Sequence, residues 1–443
     1  MTNQIKSFFK RPSIRHLGAN TLWILGERTL TMSLAFAVSI VVSRYLGPER
    51  YGILSYAISF TTIFAIAGHL GLSGLVIKDI VKYPEKSNET LGTVFALKYA
   101  GILIGFCILL LFTFSTEVGG SKEFWVLLIV SLTIIFQPFE IFNYWFSAKI
   151  QGKYIFFSKI TAITIASIIK VILVLASAGL IYFALTNVLL AFISATLYLI
   201  FFHKLGNAPI FSWIVSISRG KDLLSQGWMV FLGSIFAVIY LKVDQVMLRW
   251  LVDNESVGIY AIAANLSEAW YFIPTAIVTS LFPKLIQLRE KNEKQYLKRF
   301  QQLFDFLFAL ACIVAIIISM FAQPLILLLY GSEYTQSAAI LVIHIWAGLF
   351  IFMRSALSRW IIIENALVFS LITQGMGAFM NILLNLLLIP LYSGKGAAFA
   401  TLISYAVASY ISLLFYRRSR PIFWMMTRAI VSPIRYPALY FKK

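Results

Sequence analysis

Apolar runs of about 20 residues recur along the whole chain, separated by short polar stretches. Each run is long enough to cross a hydrocarbon core of about 30 Å as a helix. Nothing resembles the alternating ten-residue segments of an outer-membrane barrel. The pattern predicts an all-α integral membrane protein with about twelve transmembrane helices. The first six fall near 20–44, 52–75, 93–114, 124–147, 159–178 and 180–202. The second six fall near 226–248, 258–282, 302–322, 338–362, 369–390 and 397–416. Residues 1–205 and 226–416 then form two six-helix bundles. Residues 206–225 link them, and 417–443 form a basic cytoplasmic or interfacial tail.

Composition agrees with the pattern. Length alone, 443 residues, would suggest two or three soluble domains. Yet only 12% of residues are charged, 60% are hydrophobic, and the mean hydropathy is +0.85. A soluble chain carries about twice that share of charge. The net charge of +19 sits mainly in alternate loops. With a cytoplasmic N-terminus, inside segments hold about 26 of the 37 Lys and Arg, and outside loops about five. Both termini are therefore expected in the cytoplasm. The loops explain the positive charge without a nucleic-acid partner, and the basic tail suits an anionic lipid surface. The basic N-terminal stretch (Lys6, Lys10, Arg11, Arg15) precedes a run too long for a signal peptide, so an uncleaved first span is expected. Cys107 and Cys312 read as buried small hydrophobes.

Several functions are excluded by what the loops lack. Those such as "STEVGGSKE" are too short for a catalytic or nucleotide-binding domain. No phosphate-binding glycine loop and no metal-spaced His/Cys set is present. The pattern is that of a transporter rather than an enzyme, with no cofactor beyond a coupling H+ or Na+.

Two stretches echo each other. "RYLGPERYGILSYA" begins at Arg44, and "RWLVDNESVGIYAIA" begins at Arg249. Both read Arg–aromatic–Leu, a short polar turn, then Gly-Ile-x-x-x-Ala. Each joins the first and second spans of its half, which implies parallel repeats with a substrate path between them.

"SRYLGPERYGILSYA" also resembles the opening signature of Wzx-type O-antigen and exopolysaccharide flippases. So do "DQVML" through "VGIYAIAANLSEAWYFIPTAIVTSLFPKL", "LLLYGSEY" and "LIPLYSGKGAAFATLISY". This family belongs with the multidrug MATE exporters and the peptidoglycan lipid flippase. The resemblance implies a MATE-like fold in the bacterial inner membrane. It also implies alternating-access transport of an undecaprenyl-diphosphate-linked oligosaccharide from the cytoplasmic to the outer leaflet, through a charged central cavity. Membrane lipids, a polysaccharide polymerase and chain-length machinery are the partners implied. A MATE-type drug exporter and a peptidoglycan-precursor flippase remain alternatives.

Charges inside the apolar runs carry the candidate chemistry, because a mid-membrane ion costs about 2.5–3.5 kcal/mol and needs a cavity or a partner. Arg28, Lys170, Lys242 and Arg354 are candidate cavity cations for a diphosphate. Glu27, Glu140, Asp244 and Glu268 are candidates for ion pairing or for the coupling ion, so the deep charge is balanced. Lys242 and Asp244, two residues apart, cannot share a helix face. Lys98 and Arg359 lie nearer the span ends and are expected to snorkel. Asn143, Asn265, Asn381 and Asn385 are candidates to bond sugar hydroxyls or neighbouring helices. Pro138 and Pro274 should bend their helices.

Overall fold

At Gly47 the backbone leaves the helix, with φ 71° and ψ 170°. The following residue explains why. Pro48 has no N–H and disfavours helical geometry in the residue before it, and glycine accepts a positive φ without strain. The helical stretch Pro12–Ala65 (α1) is thus two helices joined at this break. The computed structural model describes residues 12–117, 119–206 and 209–440. Lys6, Lys10 and Arg11 of the basic N-terminal stretch lie outside them, as do 441–443 of the tail.

The remaining helices before the linker are α2 (Ser73–Lys82), α3 (Ser87–Thr116), α4 (Lys122–Ser131), α5 (Ile141–Ala148), α6 (Gly152–Leu175) and α7 (Leu180–Lys204). After it come α8 (Ile217–Leu251), α9 (Asn254–Glu268), α10 (Phe272–Lys291), α11 (Glu293–Tyr330) and α12 (Thr335–His344). Then follow α13 (Ala347–Ile363), α14 (Leu367–Tyr392), α15 (Gly394–Ser409) and α16 (Arg420–Tyr440). Among the described residues, ten segments are long and apolar enough to cross a membrane. They become eleven when Ser332–His344 and Ala347–Ile363, bent by 46°, count as one. The protein is a multi-pass, all-helical membrane protein.

Side-chain caps start helices where the chain turns between spans. Asp253 Oδ1 accepts from the Ser256 N–H at 2.7 Å, and Asn292 Oδ1 from the Gln295 N–H at 3.0 Å. Ser121 Oγ accepts from the Phe124 N–H at 3.1 Å. Each satisfies an N–H the helix leaves unpaired, and Glu255, Glu293 and Glu123 add favourable charge in the first turns. Pro138 lies in a 3₁₀ stretch, Leu132–Glu140, that separates α4 from α5. Pro274 sits in the first turn of α10, just after a break, where a missing N–H costs little.

The chain forms two compact units. The first comprises Met1–Leu46 and Phe60–Phe231, and the second comprises Gly47–Ser59 and Leu232–Lys443. The first has an aromatic core at Phe142, Phe146, Tyr198 and Phe202. In the second, Phe300, Phe304, Met353 and Met426 are at its centre. Ile422, Met425 and Ala429 bury one face of α16 in that core, and Gln301 Nε2 donates to the Met425 carbonyl at 2.9 Å. Large apolar side chains such as Leu111, Leu175 and Phe379 point outward, as lipid-facing residues do. Cys107 belongs with them. It is exposed rather than buried, because its side of α3 carries Leu103, Ile104 and Leu111.

Within the second unit the two echoing motifs pack on each other. A Cβ on Gly52 would lie 1.7 Å from the Asn254 carbonyl oxygen. One on Gly258 would lie 2.0 Å from that of Pro48. The contact is reciprocal, each glycine meeting the residue four positions before the other. Around it, Asn265 Nδ2 donates to Tyr51 Oη at 3.3 Å, and Ser59 Oγ to Gln245 Oε1 at 2.8 Å.

Candidate functional site

Lys159 and Lys170 are eleven residues apart on α6, three turns, and so share a face. In the first unit this face borders a cavity of about 370 Å³ whose polar lining includes Gln137, Glu140, Lys159, Asn187 and Ser194. Lys159 Nζ pairs with Glu27 Oε1 at 3.3 Å, and the Glu27 side chain is only 10% exposed. Lys170 Nζ donates to Asn187 Oδ1 at 3.3 Å. Glu140 lies 3.9 Å from both Lys98 Nζ and His69 Nε2. Arg28, next to Glu27, is exposed.

One of these contacts differs from the sequence expectation, and one involves a residue the sequence does not single out. Lys98 does not snorkel. It is fully buried, close to Glu140 and Tyr144, with Nζ 5.3 Å from the Tyr144 ring centroid. It lies near the start of the predicted third span, but α3 begins at Ser87, which places Lys98 three turns inside the helix on a face that packs inward. Lys159 stands at the edge of the predicted fifth span, so hydropathy alone does not mark it as an intramembrane charge. The helix begins seven residues earlier, at Gly152, which places Lys159 two turns inside. Its side chain answers Glu27. Lys159→Met strands a buried carboxylate and costs about 1–3 kcal/mol. Adding Glu27→Gln should restore most of that loss, a coupling read from the thermal midpoints of the purified variants.

In the second unit, Asp244 is 3% exposed and held by three other helices. It accepts from Tyr260 Oη at 2.7 Å (α9), Asn385 Nδ2 at 2.6 Å (α14) and Thr401 Oγ1 at 2.5 Å (α15). Thr401 Oγ1 also lies 3.0 Å from the Ala397 carbonyl, and Asn385 Nδ2 lies 3.2 Å from Asn381 Oδ1. Asn385 Oδ1 is buried with no hydrogen-bond partner among the described residues. Asn381 and Asn385 are wholly buried, which takes them away from any sugar. They stand one turn apart on α14, and that i,i+4 spacing was the available sign of a shared role. The cluster is oxygen-rich with one carboxylate, a donor set that suits a hard cation. Among the described residues no group of three or more His, Cys, Asp and Glu forms a metal site.

Lys242 pairs with Glu268 at 3.9 Å, on a different face of α8 from Asp244. Arg354, on α13, donates to Thr373 Oγ1 and the Ala408 carbonyl, each at 3.1 Å, and to Ser370 Oγ at 3.3 Å. The even count of deep charges therefore resolves unevenly. Glu27, Glu140 and Glu268 each have a lysine. Arg28, Lys170 and Arg354 have no carboxylate at ion-pair distance among the described residues, and Lys170 and Arg354 rest on neutral oxygens.

Helices apolar on their outer faces, with ionisable side chains buried between them, define the class as multi-pass helical membrane proteins. Residues 17–289 match the family described as polysaccharide biosynthesis protein, and the chain belongs to that family. It is similar to the probable flippase AglR of Haloferax volcanii, 26% identical over 45% of this chain and 43% of that one. The chain thus spans less than half of that relative. It is also similar to the capsular polysaccharide biosynthesis protein CapF of Staphylococcus aureus. That match is 23% identical over 86% of this chain and 95% of that one. The solved structure of the lipid II flippase MurJ superposes with a TM-score of 0.66 at 16% identity, covering 95% of this chain and 92% of that one. The fold is shared with that protein, and the resemblance read from the four sequence blocks holds at the level of the family.

Proposed function

We propose that the protein is a flippase for a lipid-linked oligosaccharide, carrying an undecaprenyl-diphosphate-bound repeat unit across the bacterial inner membrane by alternating access. The observation that carries this reading is the uneven pairing of the deep charges. Lys170 and Arg354 rest on neutral hydrogen-bond partners inside spans. A diphosphate gives such cations what their surroundings withhold, and Arg354 offers a guanidinium to do it bidentately. A drug exporter selecting cationic cargo would want the opposite residue. AglR and MurJ are named as flippases and CapF as a polysaccharide biosynthesis protein, which supports the same cargo class here.

The same reading takes twelve crossings. Leu22–Lys82 is 61 residues long, about 90 Å if straight, three times the hydrocarbon thickness. Divided at Gly47 it crosses twice, which raises eleven segments to twelve. An even number puts both termini on one side, and the Lys/Arg distribution makes that side the cytoplasm. The Asp244 cluster is then the seat of the coupling H+ or Na+.

Complementation of a flippase-deleted strain tests the cargo. Lys170→Ala and Arg354→Ala should each lower surface polymer about tenfold or more at equal protein level, the scale of one lost hydrogen bond between charged groups. Lys242→Ala should do less, since Glu268 already occupies that lysine. Normal polymer from an Arg28, Lys170 and Arg354 triple alanine variant overturns the phosphate reading.

A further inference from the structure

α10 and α11 join at Asn292 and run side by side away from that elbow. Both belong to apolar segments long enough to span, so the elbow stands at one membrane face. Between the two helices lies a groove of about 320 Å³. Lys284 and Arg299 border it, and Leu281, Leu285, Leu303 and Phe306 form its apolar wall. At 1.5 Å per residue from Asn292, Lys284 and Arg299 both lie about 10–12 Å from the elbow. Leu281 and Leu303 lie about 16 Å away and Phe306 about 21 Å. The two cations therefore share one level, and the groove turns apolar toward the bilayer centre.

Charge on this elbow is unequally committed. Arg289 is clamped by Glu364, at 2.7 Å from Nε, and by Glu293, at 3.2 Å from Nη1. Arg299 Nη1 donates to the neutral Gln302 Oε1 at 3.0 Å. Lys284 makes no ion pair among the described residues and is exposed. Phe306 is 54% exposed and Leu281 43%. A trough of leucine and phenylalanine, topped at one depth by two cations, matches an acyl chain ending in a phosphodiester.

The geometry points to this groove as a binding site for an anionic glycerophospholipid of the phosphatidylglycerol type. Its phosphate lies between Lys284 and Arg299, and one acyl chain lies along Leu281, Leu303 and Phe306. The site stands apart from the intramembrane charges, so it does not depend on the transport reading.

Native mass spectrometry of the delipidated full chain tests it, with dioleoyl phosphatidylglycerol and dioleoyl phosphatidylcholine as probes. One phosphatidylglycerol should bind in preference to phosphatidylcholine. Lys284→Gln and Arg299→Gln should each weaken it about fivefold, and together about 25-fold, as loss of one surface cation apiece predicts. Leu281→Glu should weaken it with both cations in place. Lys294→Gln with Lys298→Gln, on the same elbow outside the groove, should leave it unchanged. All these side chains are exposed, and an unaltered thermal midpoint separates a lost site from a lost fold. Equal binding of the two lipids, equal loss in the control pair, or preferential uptake of an isoprenoid phosphate offered at the same concentration would each overturn the assignment.

Discussion

Gly52→Ala lowers the thermal midpoint of the purified protein by about 5–10 °C, and Gly52→Val keeps it from accumulating in the membrane. The cause is a backbone contact. The added carbon meets the Asn254 carbonyl oxygen at 1.7 Å, and no side-chain rotation relieves a clash with main chain. The two segments must move apart by more than 1 Å, which opens the packing around them. Overpacking of this kind costs about 3 kcal/mol. For a large domain each kcal/mol shifts the midpoint by about 2–4 °C. Gly258→Ala should behave the same way, because its Cβ would meet the Pro48 carbonyl oxygen at 2.0 Å. Gly74→Ala is the control. Nothing lies within 4 Å of its Cβ position. Alanine there should be neutral or should stabilise α2 by up to about 1 kcal/mol. Equal midpoints for the Gly52 and Gly74 variants would dissolve the claim that the repeated motif is a packing contact.

That contact shows what the sequence could and could not tell. The Gly-Ile-x-x-x-Ala echo was visible in both copies, and so was its place between the first and second spans of each half. Their meeting was not visible, because periodicity says nothing of which faces touch. The spans themselves were legible, since twenty apolar residues declare themselves by length. Helix starts were less so: the spans predicted from 258, 302 and 124 begin at Asn254, Glu293 and Lys122, because the caps at Asp253, Asn292 and Ser121 start each helix in polar sequence ahead of the apolar run. Charges were harder. The eight deep ionisable residues were found by type, but partners came from packing. Lys98 stands near a predicted span end, where snorkelling is the expectation, and Lys159 stands at the very start of the predicted fifth span, where nothing marks it as an intramembrane charge. The structure makes Lys98 a buried partner of Glu140 and Lys159 a half-exposed partner of the buried Glu27. Neutral residues gave the weakest signal. Tyr260 and Thr401 are ordinary residues in an apolar helix until Asp244 is placed between them.

Asp244→Asn is expected to lower the proposed flippase activity at least about tenfold while leaving the protein folded. Three donors surround the carboxyl group, from Tyr260, Asn385 and Thr401, and they offset part of the cost of burying it. Asparagine keeps an oxygen for Tyr260 and Thr401 but removes the charge. Alanine removes the acceptor shared by three buried donors, of which Thr401 and Asn385 each keep a second acceptor while Tyr260 loses its carboxylate, and it leaves a cavity, so Asp244→Ala should lose protein level as well as activity. Loss of one charged ligand weakens a cation site by about tenfold to a hundredfold or more, which sets the expected size of the effect. The measurement is transport per molecule in vesicles, with Na+ and the pH gradient varied separately. Wild-type transport should respond to one of them, and the asparagine variant should have lost that response. If Asp244 only ties α8 to α9, α14 and α15, the variant will melt earlier yet keep the wild-type ion dependence. Thr401→Val adds a second handle. It removes a hydroxyl that bonds Asp244 without changing charge, so it should shift the ion concentration for half-maximal transport upward and leave the maximal rate largely intact.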